Sequence, residues 1–500
     1  MVRRIRLGAG AMIAAALAFA STVAVANPRS MADTSPIAVT VGTSATSAAL
    51  PASFLGLSIE YSALHVYAGR DPRTPNPVFL ALVRALDPGA RPVLRIGGDS
   101  TDATWWPIRG LTPPGGVRYA LTRDWLDVAR AVATDLGARL ILGVNLAADE
   151  PSLAAAEARA LTAGIGRRHI DAFEIGNEPD LYGAQAWYKN RAGEAFDARP
   201  SGWDLADYLN ELALWRRLLP SGVAVAGPAL ATGTWLADLP QLRGTGPLAA
   251  VTFHRYPLRS CPGPLPAGTQ ATIPDLLGDT AAEGLAAKVA PYVAAAHAVG
   301  APFRIDELNS SACKGTLGVS NTLASAAWVL DTLYNLAAAG VDAVNVHTLP
   351  GAPYAPFSFT DSHGRWRGVV NPVYYGMLMF ARAFPAGAHL VSVSAPAGTL
   401  KAYATVDTHG TTRIMLINKA PSTAATVTVT DPGAGTAPFA EQLLTGPSAT
   451  ATTGVTLGGA SFGAATPTGV LAPPAQASVP QANGALTVTV PAASALLLTS

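Results

Sequence analysis

Two short segments of the chain, 173–180 and 304–310, each end an apolar run with an acidic residue that has an amide neighbour. Cleavage of a glycosidic bond needs one carboxyl group that protonates the departing oxygen and a second, ionised one that attacks or stabilises the anomeric carbon. A single glutamate is usually a solvated loop residue, but here the whole pattern occurs twice with the same placement. Glu178 and Glu307 are therefore the candidate catalytic pair.

The elements that must position this pair can be read from the periodicity of apolar residues. Short apolar runs alternate, for the most part, with Ala- and Leu-rich stretches of helical spacing. The runs cover 54–60, 92–98, 140–145, 170–175, 223–227, 250–254, 303–307 and 343–347. Near-continuous apolar strands between helices are typical of a parallel sheet, and eight such units over roughly 330 residues predict an α/β fold with a (β/α)8 TIM barrel. A doubly wound open sheet is the structural alternative.

Polar residues occur where the predicted strands end. Reactive groups of such barrels lie at the C-terminal ends of the strands, where the loops form one mouth. The polar residues at these positions are Glu60, Asp99, Asn145, Asn177, Glu178, His254, Tyr256, Glu307 and His347. Glu178 would end strand four and Glu307 strand seven, so we expect their carboxyl groups to face each other across a sugar.

Four motifs, at 94–100, 253–257, 307–310 and 318–322, occur in the order found in one known family. With an Asn-Glu pair after strand four and a Glu after strand seven, the chain resembles the retaining glycoside hydrolases of clan A. Within that clan it is similar to glycoside hydrolase family 79, which contains β-glucuronidases and heparanase-like enzymes. The resemblance implies a retaining β-glycosidase that acts on a carbohydrate and needs no cofactor.

The resemblance also implies roles for individual residues. Glu178 would be the general acid/base and Glu307 the nucleophile. Asn177 would donate a hydrogen bond to the sugar 2-hydroxyl, a bond that strengthens in the transition state. Tyr256 is similar to a clan tyrosine that hydrogen-bonds the nucleophile and keeps it ionised.

Three further residues are expected to support the pair. Arg95 is similar to a barrel-floor arginine whose charge would lower the pKa of Glu307, with an internal salt bridge as the alternative. His254 is expected to support the site rather than transfer a proton, because Glu178 fills the acid/base role. Glu60 could hydrogen-bond distal sugar hydroxyls, and a structural salt bridge is its alternative.

The chain departs from the family pattern at two places that bear on the substrate. Asp99 stands where many relatives have asparagine, and an extra carboxylate would repel a uronic acid unless it is paired or points away. After the nucleophile, the run 310–315 lacks a tyrosine that clasps the uronate in some glucuronidases. Lys314 and the amides near Gly315 could replace it, or Lys314 is a solvated loop residue.

Several functions therefore remain open on this scaffold. A β-glucuronidase-like activity by double displacement is the main hypothesis, and a β-glucosidase or diglycosidase is the alternative within the enzyme class. A catalytically silent carbohydrate-binding protein is the alternative from another class, because a fold alone does not fix a function. Cys261 and Cys313 follow the motifs of neighbouring strands closely, and this predicts a disulfide between adjacent barrel loops. No motif has metal-ligand spacing.

The N-terminus predicts export. A basic segment, 2–6, precedes an apolar segment, 11–20, and small residues at 24–26 suit signal cleavage. We therefore expect a signal peptide over 1–26 and a secreted or periplasmic protein, with an uncleaved anchor helix as the alternative. The formal net charge of +1 gives no reason to expect nucleic acid or a membrane surface as a partner, and we expect a monomer.

The C-terminal part of the chain has a different character. Beyond about residue 384, short Val/Thr/Leu runs alternate with Gly, Pro and Ser, as expected for a C-terminal antiparallel β-sandwich domain. We expect the barrel to span 50–385 and the sandwich to comprise 27–49 and 386–500. Few aromatic residues remain there to stack on sugars, which favours a structural buttress over a carbohydrate-binding module.

Overall fold

The computed structural model describes residues 35–261, 263, 265, 268–433, 435–474, 477–482 and 484–500. The predicted signal peptide, 1–26, lies outside these residues. Among the helices of the described ranges, none combines the length and the hydropathy that a bilayer-spanning segment needs.

Eight parallel strands form a closed barrel. They are Leu55–Glu60, Val93–Gly97, Arg139–Val144, Ile170–Ile175, Ala224–Ala226, Leu248–Arg255, Phe303–Leu308 and Ala343–Thr348, and are called barrel strands one to eight below. Closure comes from parallel pairing of strand eight with strand one, where Val344 lies opposite Leu55. The predicted (β/α)8 barrel is therefore confirmed, and the open sheet is excluded because an open sheet has two unpaired edges.

Helices pack around the barrel. Their bounds are Leu64–Ala68, Pro77–Leu86, Arg123–Leu136, Pro151–Ile165, Leu205–Leu218, Ile273–Leu277, Glu283–Ala298, Leu323–Ala338 and Pro372–Ala383. The sequence sets several of their ends: the Thr122 hydroxyl accepts a hydrogen bond from the Trp125 N–H at the start of one helix. That helix ends at Gly137, whose left-handed backbone (φ 64°) suits glycine. Asp204 and Asp207 form a capping box at the start of Leu205–Leu218.

Short strands and 3-10 segments occur in the connections between the barrel strands and the helices. The paired short strands are Thr104–Trp105 with Tyr119–Ala120, Ala186–Lys189 with Ala195–Asp197, Leu258–Arg259 with Ser311–Ala312, and Phe357–Ser362 with Arg365–Val370. The 3-10 segments are Tyr61–Ala63, Gly98–Ala103, Arg167–His169, Pro179–Leu181, Leu236–Thr245 and Asp279–Ala281. The segments Gly98–Ala103 and Pro179–Leu181 follow barrel strands two and four, and so they reach the mouth.

A second sheet of ten strands follows the barrel, and this confirms the predicted C-terminal antiparallel domain. Its strands are Ile37–Ala45, His389–Ser394, Leu400–Val406, Thr412–Asn418, Ala425–Thr430, Phe439–Thr445, Thr456–Leu457, Ala477–Val479, Ala485–Val490 and Ser494–Thr499. Ile414 and Val488 lie on strands distant in the sheet order but share one buried cluster, so the sheet folds over its own core. Met415 and Ile417, on the opposite face, belong to the core of the barrel.

A buried ion cluster joins this sheet to the barrel helices. The Lys419 ammonium donates to the carboxylate of Asp331 at 2.8 Å and to that of Asp279 at 3.1 Å. The Tyr403 hydroxyl donates to Asp331 at 2.6 Å. The side chains of Lys419 and Asp331 are 2% and 1% exposed, so this pair is shielded from water. We call these four residues the interface cluster.

Candidate active site

Arg95, on barrel strand two, is the centre of a buried charge cluster at the mouth. Its guanidinium, with no exposed surface, contacts three carboxylates and an amide. The distances are 2.5 Å from Nη1 to Glu307 Oε1, 2.7 Å from Nη2 to Glu174 Oε2, 3.4 Å from Nε to Asp306 Oδ2, and 2.9 Å from Nη2 to Asn177 Oδ1. One cation thus ties the ends of strands four and seven to strand two.

Glu307 is held as a buried anion. Its side chain is 8% exposed, and the Tyr256 hydroxyl donates to its Oε2 at 2.9 Å. Burial by itself would raise the pKa of this carboxyl. The positive fields of His254 and Arg95, together with the Tyr256 hydrogen bond, outweigh burial and hold the pKa well below its usual range. The structure therefore places Arg95 and Tyr256 in direct contact with Glu307.

Glu178 follows strand four and lies in a different environment. Its side chain is 27% exposed, and its Oε1 lies 2.8 Å from His254 Nδ1. The backbone of Glu178 is left-handed, with φ 51°, which is uncommon for a residue other than glycine. Its N–H donates to the Ala229 carbonyl at 3.0 Å, so the loop after strand five supports this conformation.

The two carboxyl groups are close together. One oxygen each of Glu178 and Glu307 and a ring nitrogen of His254 all lie within 4.8 Å of one another. Among the described residues this is the one group spaced to share a metal ion. Glu307, however, already forms an ion pair with Arg95. Burial alone would lower the pKa of His254, but the negative charges of Glu307 and Asp306 outweigh burial and raise this pKa well above its usual value. In this structure the three side chains and Arg95 form one hydrogen-bonded ion cluster.

Glu60, the last residue of strand one, lies on the wall of the mouth. Its Oε2 accepts a hydrogen bond from the Ser100 N–H at 2.8 Å. Burial, and then the charges of Asp99 and Glu307, raise its pKa to about 8. A Cβ at Gly98 would lie 2.4 Å from Glu60 Oε1 and would displace this carboxyl group, and the backbone of Gly98, with φ 75°, favours glycine.

Asp99 is accessible to solvent at the mouth and is surrounded by other acids. Its Oδ1 accepts a long hydrogen bond, 3.5 Å, from the Asn177 side-chain amide. The enclosing protein, and then the charges of Glu178 and Glu307, raise its pKa to about 7. The structure therefore brings Glu60, Asp99 and Asn177 to the same mouth as the catalytic candidates.

The loop after Glu307 is tied to the loop after strand six. Cys261 and Cys313 form a disulfide, as predicted, and the adjacent strands Leu258–Arg259 and Ser311–Ala312 pair in parallel. The Tyr256 and Glu307 loops are therefore joined both covalently and by hydrogen bonds.

The two residues expected to hold a uronate lie differently in that loop. Lys314 is exposed, and it forms no hydrogen bond or ion pair with another described residue. Gly315 lies against Tyr354, since a Cβ there would be 2.9 Å from the Tyr354 ring. The Tyr354 ring centroid is 6.4 Å from that of Tyr256 and 6.0 Å from that of His347. Gly315 thus backs an aromatic wall of the mouth.

Four residues of the site were not identified from the sequence: Glu174, Asp306, Asp102 and Tyr354. Glu174 and Asp306 carried a usable signal, because a charged residue inside an otherwise apolar strand must be paired when buried. Asp102 and Tyr354 lie in loops without such a signal. Burial raises the pKa of Glu174 to about 8, against the opposing field of Arg95.

Comparisons with known proteins agree with this architecture. Residues 402–497 match the family model of the glycosyl hydrolase family 79 C-terminal beta domain. No protein of curated function matches the sequence. Among solved structures, a 4-O-α-L-rhamnosyl-β-D-glucuronidase from Fusarium oxysporum 12S superposes with a TM-score of 0.69 at 19% identity, over 92% of this chain and 100% of that one.

Other glycoside hydrolases share the fold. A GH51 arabinofuranosidase from Xanthomonas axonopodis pv. citri gives a TM-score of 0.62 at 16% identity, over 93% of this chain and 99% of that one. A GH51 α-L-arabinofuranosidase from Thermotoga petrophila RKU-1 gives 0.65 at 14% identity, over 93% and 100%. The chain thus combines a (β/α)8 barrel, whose fold these glycoside hydrolases share, with a C-terminal sheet that matches the family 79 C-terminal beta domain over 402–497, and its predicted resemblance to that family is confirmed.

Proposed function

We propose that this protein is a retaining β-glycoside hydrolase in which Glu178 is the general acid/base and Glu307 the nucleophile. The observation that carries the proposal is that one oxygen of Glu178 and one oxygen of Glu307 lie within 4.8 Å of each other, a close approach that suits a retaining pair. Retaining glycosidases hold this pair about 5–5.5 Å apart, whereas inverting enzymes leave about 6.5–9.5 Å for a water molecule. A silent sugar-binding protein would have no need for the two groups to be matched in this way.

The surroundings of each carboxyl group suit its role. Glu307 stays ionised beside Arg95, so its carboxylate can attack the anomeric carbon and form a covalent glycosyl-enzyme. Glu178 protonates the departing oxygen as the glycosidic bond breaks. It then removes a proton from the water that attacks the intermediate and releases Glu307.

His254 links the two halves of this mechanism. Its Nδ1 lies 2.8 Å from Glu178 and 3.7 Å from Glu307 Oε2, and its Nε2 lies 3.6 Å from Asp306. A charged imidazolium in this position orients Glu178 and lowers the energy of the ionised nucleophile. It supports both glutamates without itself transferring the substrate proton.

A β-glucuronide is the proposed substrate class. The family 79 C-terminal domain and the fold shared with a rhamnosyl-glucuronidase support this choice. The raised pKa values of Glu60 and Asp99 remove part of the objection drawn from the sequence, because a protonated carboxyl group does not repel a uronate. A neutral β-glycoside is the second candidate, since Lys314 is exposed and forms no hydrogen bond or ion pair with another described residue.

Hydrolysis of paired chromogenic β-glucuronide and β-glucoside substrates by the mature protein tests the proposal. We expect a preference for the glucuronide, and at least about a thousandfold loss of its turnover in Glu307→Gln. Glu178→Gln should lose activity most strongly on substrates with basic leaving groups. A preference for the glucoside would keep the mechanism and replace the substrate, whereas turnover that survives in Glu307→Gln would contradict the mechanism.

Export belongs to the same proposal. The disulfide between Cys261 and Cys313 supports it, because such bonds persist in oxidising compartments. Expression of the full chain in a secreting host should give a mature N-terminus at Asn27, read by terminal sequencing. A protein retained in the cytoplasm with Met1 intact would contradict export without affecting the catalytic proposal.

A further inference from the structure

Asp102, in the loop after strand two, accepts hydrogen bonds from the loops after strands three and four. Its side chain is buried, at 5% exposure, in the segment after strand two. Oδ1 accepts from the N–H groups of Leu146 and Ala147, at 3.0 and 3.1 Å, in the loop after strand three. Oδ2 accepts from the Asn177 N–H at 3.1 Å and from the Tyr182 hydroxyl at 2.5 Å, both after strand four. Both oxygens are therefore occupied by the protein itself.

The Asn177 N–H belongs to the residue directly before Glu178. Glu178 has φ 51°, a left-handed backbone conformation that costs on the order of 1 kcal/mol for a residue with a side chain. Neighbouring contacts must therefore hold Glu178 in this conformation. Asp102 holds the chain on one side of Glu178. Asp180 holds it on the other, where its carboxylate accepts from the N–H groups of Ala231 and Thr232 at 3.0 and 2.7 Å.

We propose that Asp102 is a positioning residue that fixes the backbone of Glu178 so that its carboxyl group reaches the leaving-group oxygen. This inference rests on the proposed function, and it adds a residue that the catalytic pair depends on. Asp102 acts through Asn177 and Tyr182 and does not contact the reacting atoms.

The chemistry of the first step gives this role a distinctive signature. In that step the Glu178 proton goes to the glycosidic oxygen, the bond from that oxygen to the anomeric carbon breaks, and Glu307 forms its bond to the same carbon. A dinitrophenolate leaves without a proton, whereas a methoxide needs one. Misplacement of Glu178 therefore slows cleavage of a methyl glycoside and spares a dinitrophenyl glycoside. A general loss of structure would slow both.

The test compares kcat/KM of Asp102→Asn on methyl and dinitrophenyl glycosides of the sugar that the wild-type protein prefers. For each substrate, kcat/KM reports the steps up to formation of the glycosyl-enzyme, so slow hydrolysis of that intermediate does not affect the comparison. We expect a loss of about tenfold to a hundredfold on the methyl glycoside, within the range that a general acid contributes, and less than about threefold on the dinitrophenyl glycoside. Tyr182→Phe, which removes one hydroxyl and keeps the ring, should give the same pattern more weakly.

Two controls separate the possible outcomes. Asp331→Asn removes an equally buried carboxylate outside the mouth, and it should lower the melting temperature without any dependence on the leaving group. Equal losses on both substrates in Asp102→Asn and in Tyr182→Phe, or no loss in either, would overturn the positioning role. If Asp102→Asn does not fold, Tyr182→Phe decides. Activity that survives in Glu307→Gln would refute the proposed function instead, and would do so whatever Asp102→Asn shows.

Discussion

The mouth of the barrel and the interface cluster both bury charge, but they balance it differently. At the interface, Lys419 meets Asp331 directly, and Asp279 faces the same ammonium from the partly exposed side. At the mouth, a single guanidinium on Arg95 contacts the carboxyl groups of Glu174, Asp306 and Glu307. Glu60, Asp99 and Glu178 add further acids around the same space.

This difference supports the mouth as the proposed site of chemistry. Burying a charge without full compensation is costly, and it shifts pKa values in opposite directions within a few ångströms. At the mouth the pKa of Glu307 is held low while those of Glu60 and Glu174 rise to about 8. The interface cluster is centred on the ion pair of Lys419 with Asp331 and joins the second sheet to the barrel helices, as expected of a structural contact. We therefore expect changes at the mouth to alter catalysis and changes at the interface to alter stability.

The largest effect is expected from Arg95→Met. Without the guanidinium, the pKa of Glu307 should rise, because the nearest positive charge that favours the ionised form is gone. We expect kcat/KM to fall by about a hundredfold to a thousandfold, as when a transition-state donor is removed. The acidic limb of its pH profile should move to higher pH. Arg95→Lys keeps the positive charge but loses the forked geometry of the guanidinium, so its kcat/KM should lie between those of the wild type and Arg95→Met. If the acidic limb of the pH profile does not move in Arg95→Met, this role of Arg95 is contradicted.

A smaller effect, on stability alone, is expected from Lys419→Met. It leaves the Asp331 carboxylate buried without a cation and should lower the free energy of unfolding by about 3–5 kcal/mol, with kcat/KM nearly unchanged. Lys401→Met is the matched control, because Lys401 pairs with Asp279, whose side chain is 59% exposed. That change should cost about 1 kcal/mol or less. Equal losses in the two variants, measured by chemical denaturation, would contradict the assignment of the interface cluster.

The smallest effect concerns the pH dependence of ligand binding. The pKa values of Asp99 and Glu60 are raised to about 7 and about 8, so both groups are neutral at lower pH and become anionic as the pH rises through these values. The affinity for glucuronic acid should therefore fall as the pH is raised from well below 7 to well above 8. Roughly 1 kcal/mol of added repulsion corresponds to a loss of about fivefold in affinity. Calorimetry with the wild-type protein measures it, with glucose as the uncharged comparison. Asp99→Asn should flatten the change, and an equal fall for glucose would contradict this origin.

Much of the fold was predictable because it follows from local patterns. Runs such as 140–145 and 170–175 are apolar along their whole length, and only strands buried on both faces tolerate that. Helix starts at Thr122 and Asp204 follow from capping chemistry. The folding of the second sheet over its own core was expected only in outline, because the pairing of Ile37–Ala45 with distant strands is a long-range event.

The candidate site was predictable in part for the same reason. Glu178 and Glu307 end predicted strands, so barrel geometry alone brings them to one mouth. The partners of Arg95 could not be chosen from the sequence, since Glu174 and Asp306 lie on barrel strands four and seven, distant from Arg95 along the chain, and only closure of the barrel brings them to it. Asp102 carried no signal, because its four hydrogen bonds come from loops that only the closed barrel brings together.

The sequence by itself therefore determined the barrel, the two glutamates and the pairing of Cys261 with Cys313. These depend on periodicity and on positions relative to strand ends, which are local properties. The tertiary structure alone decided the ionisation of the mouth and the backbone support of Glu178. Both depend on which charges and donors from distant strands lie within a few ångströms of one another, and electrostatic energies depend on those distances and on burial.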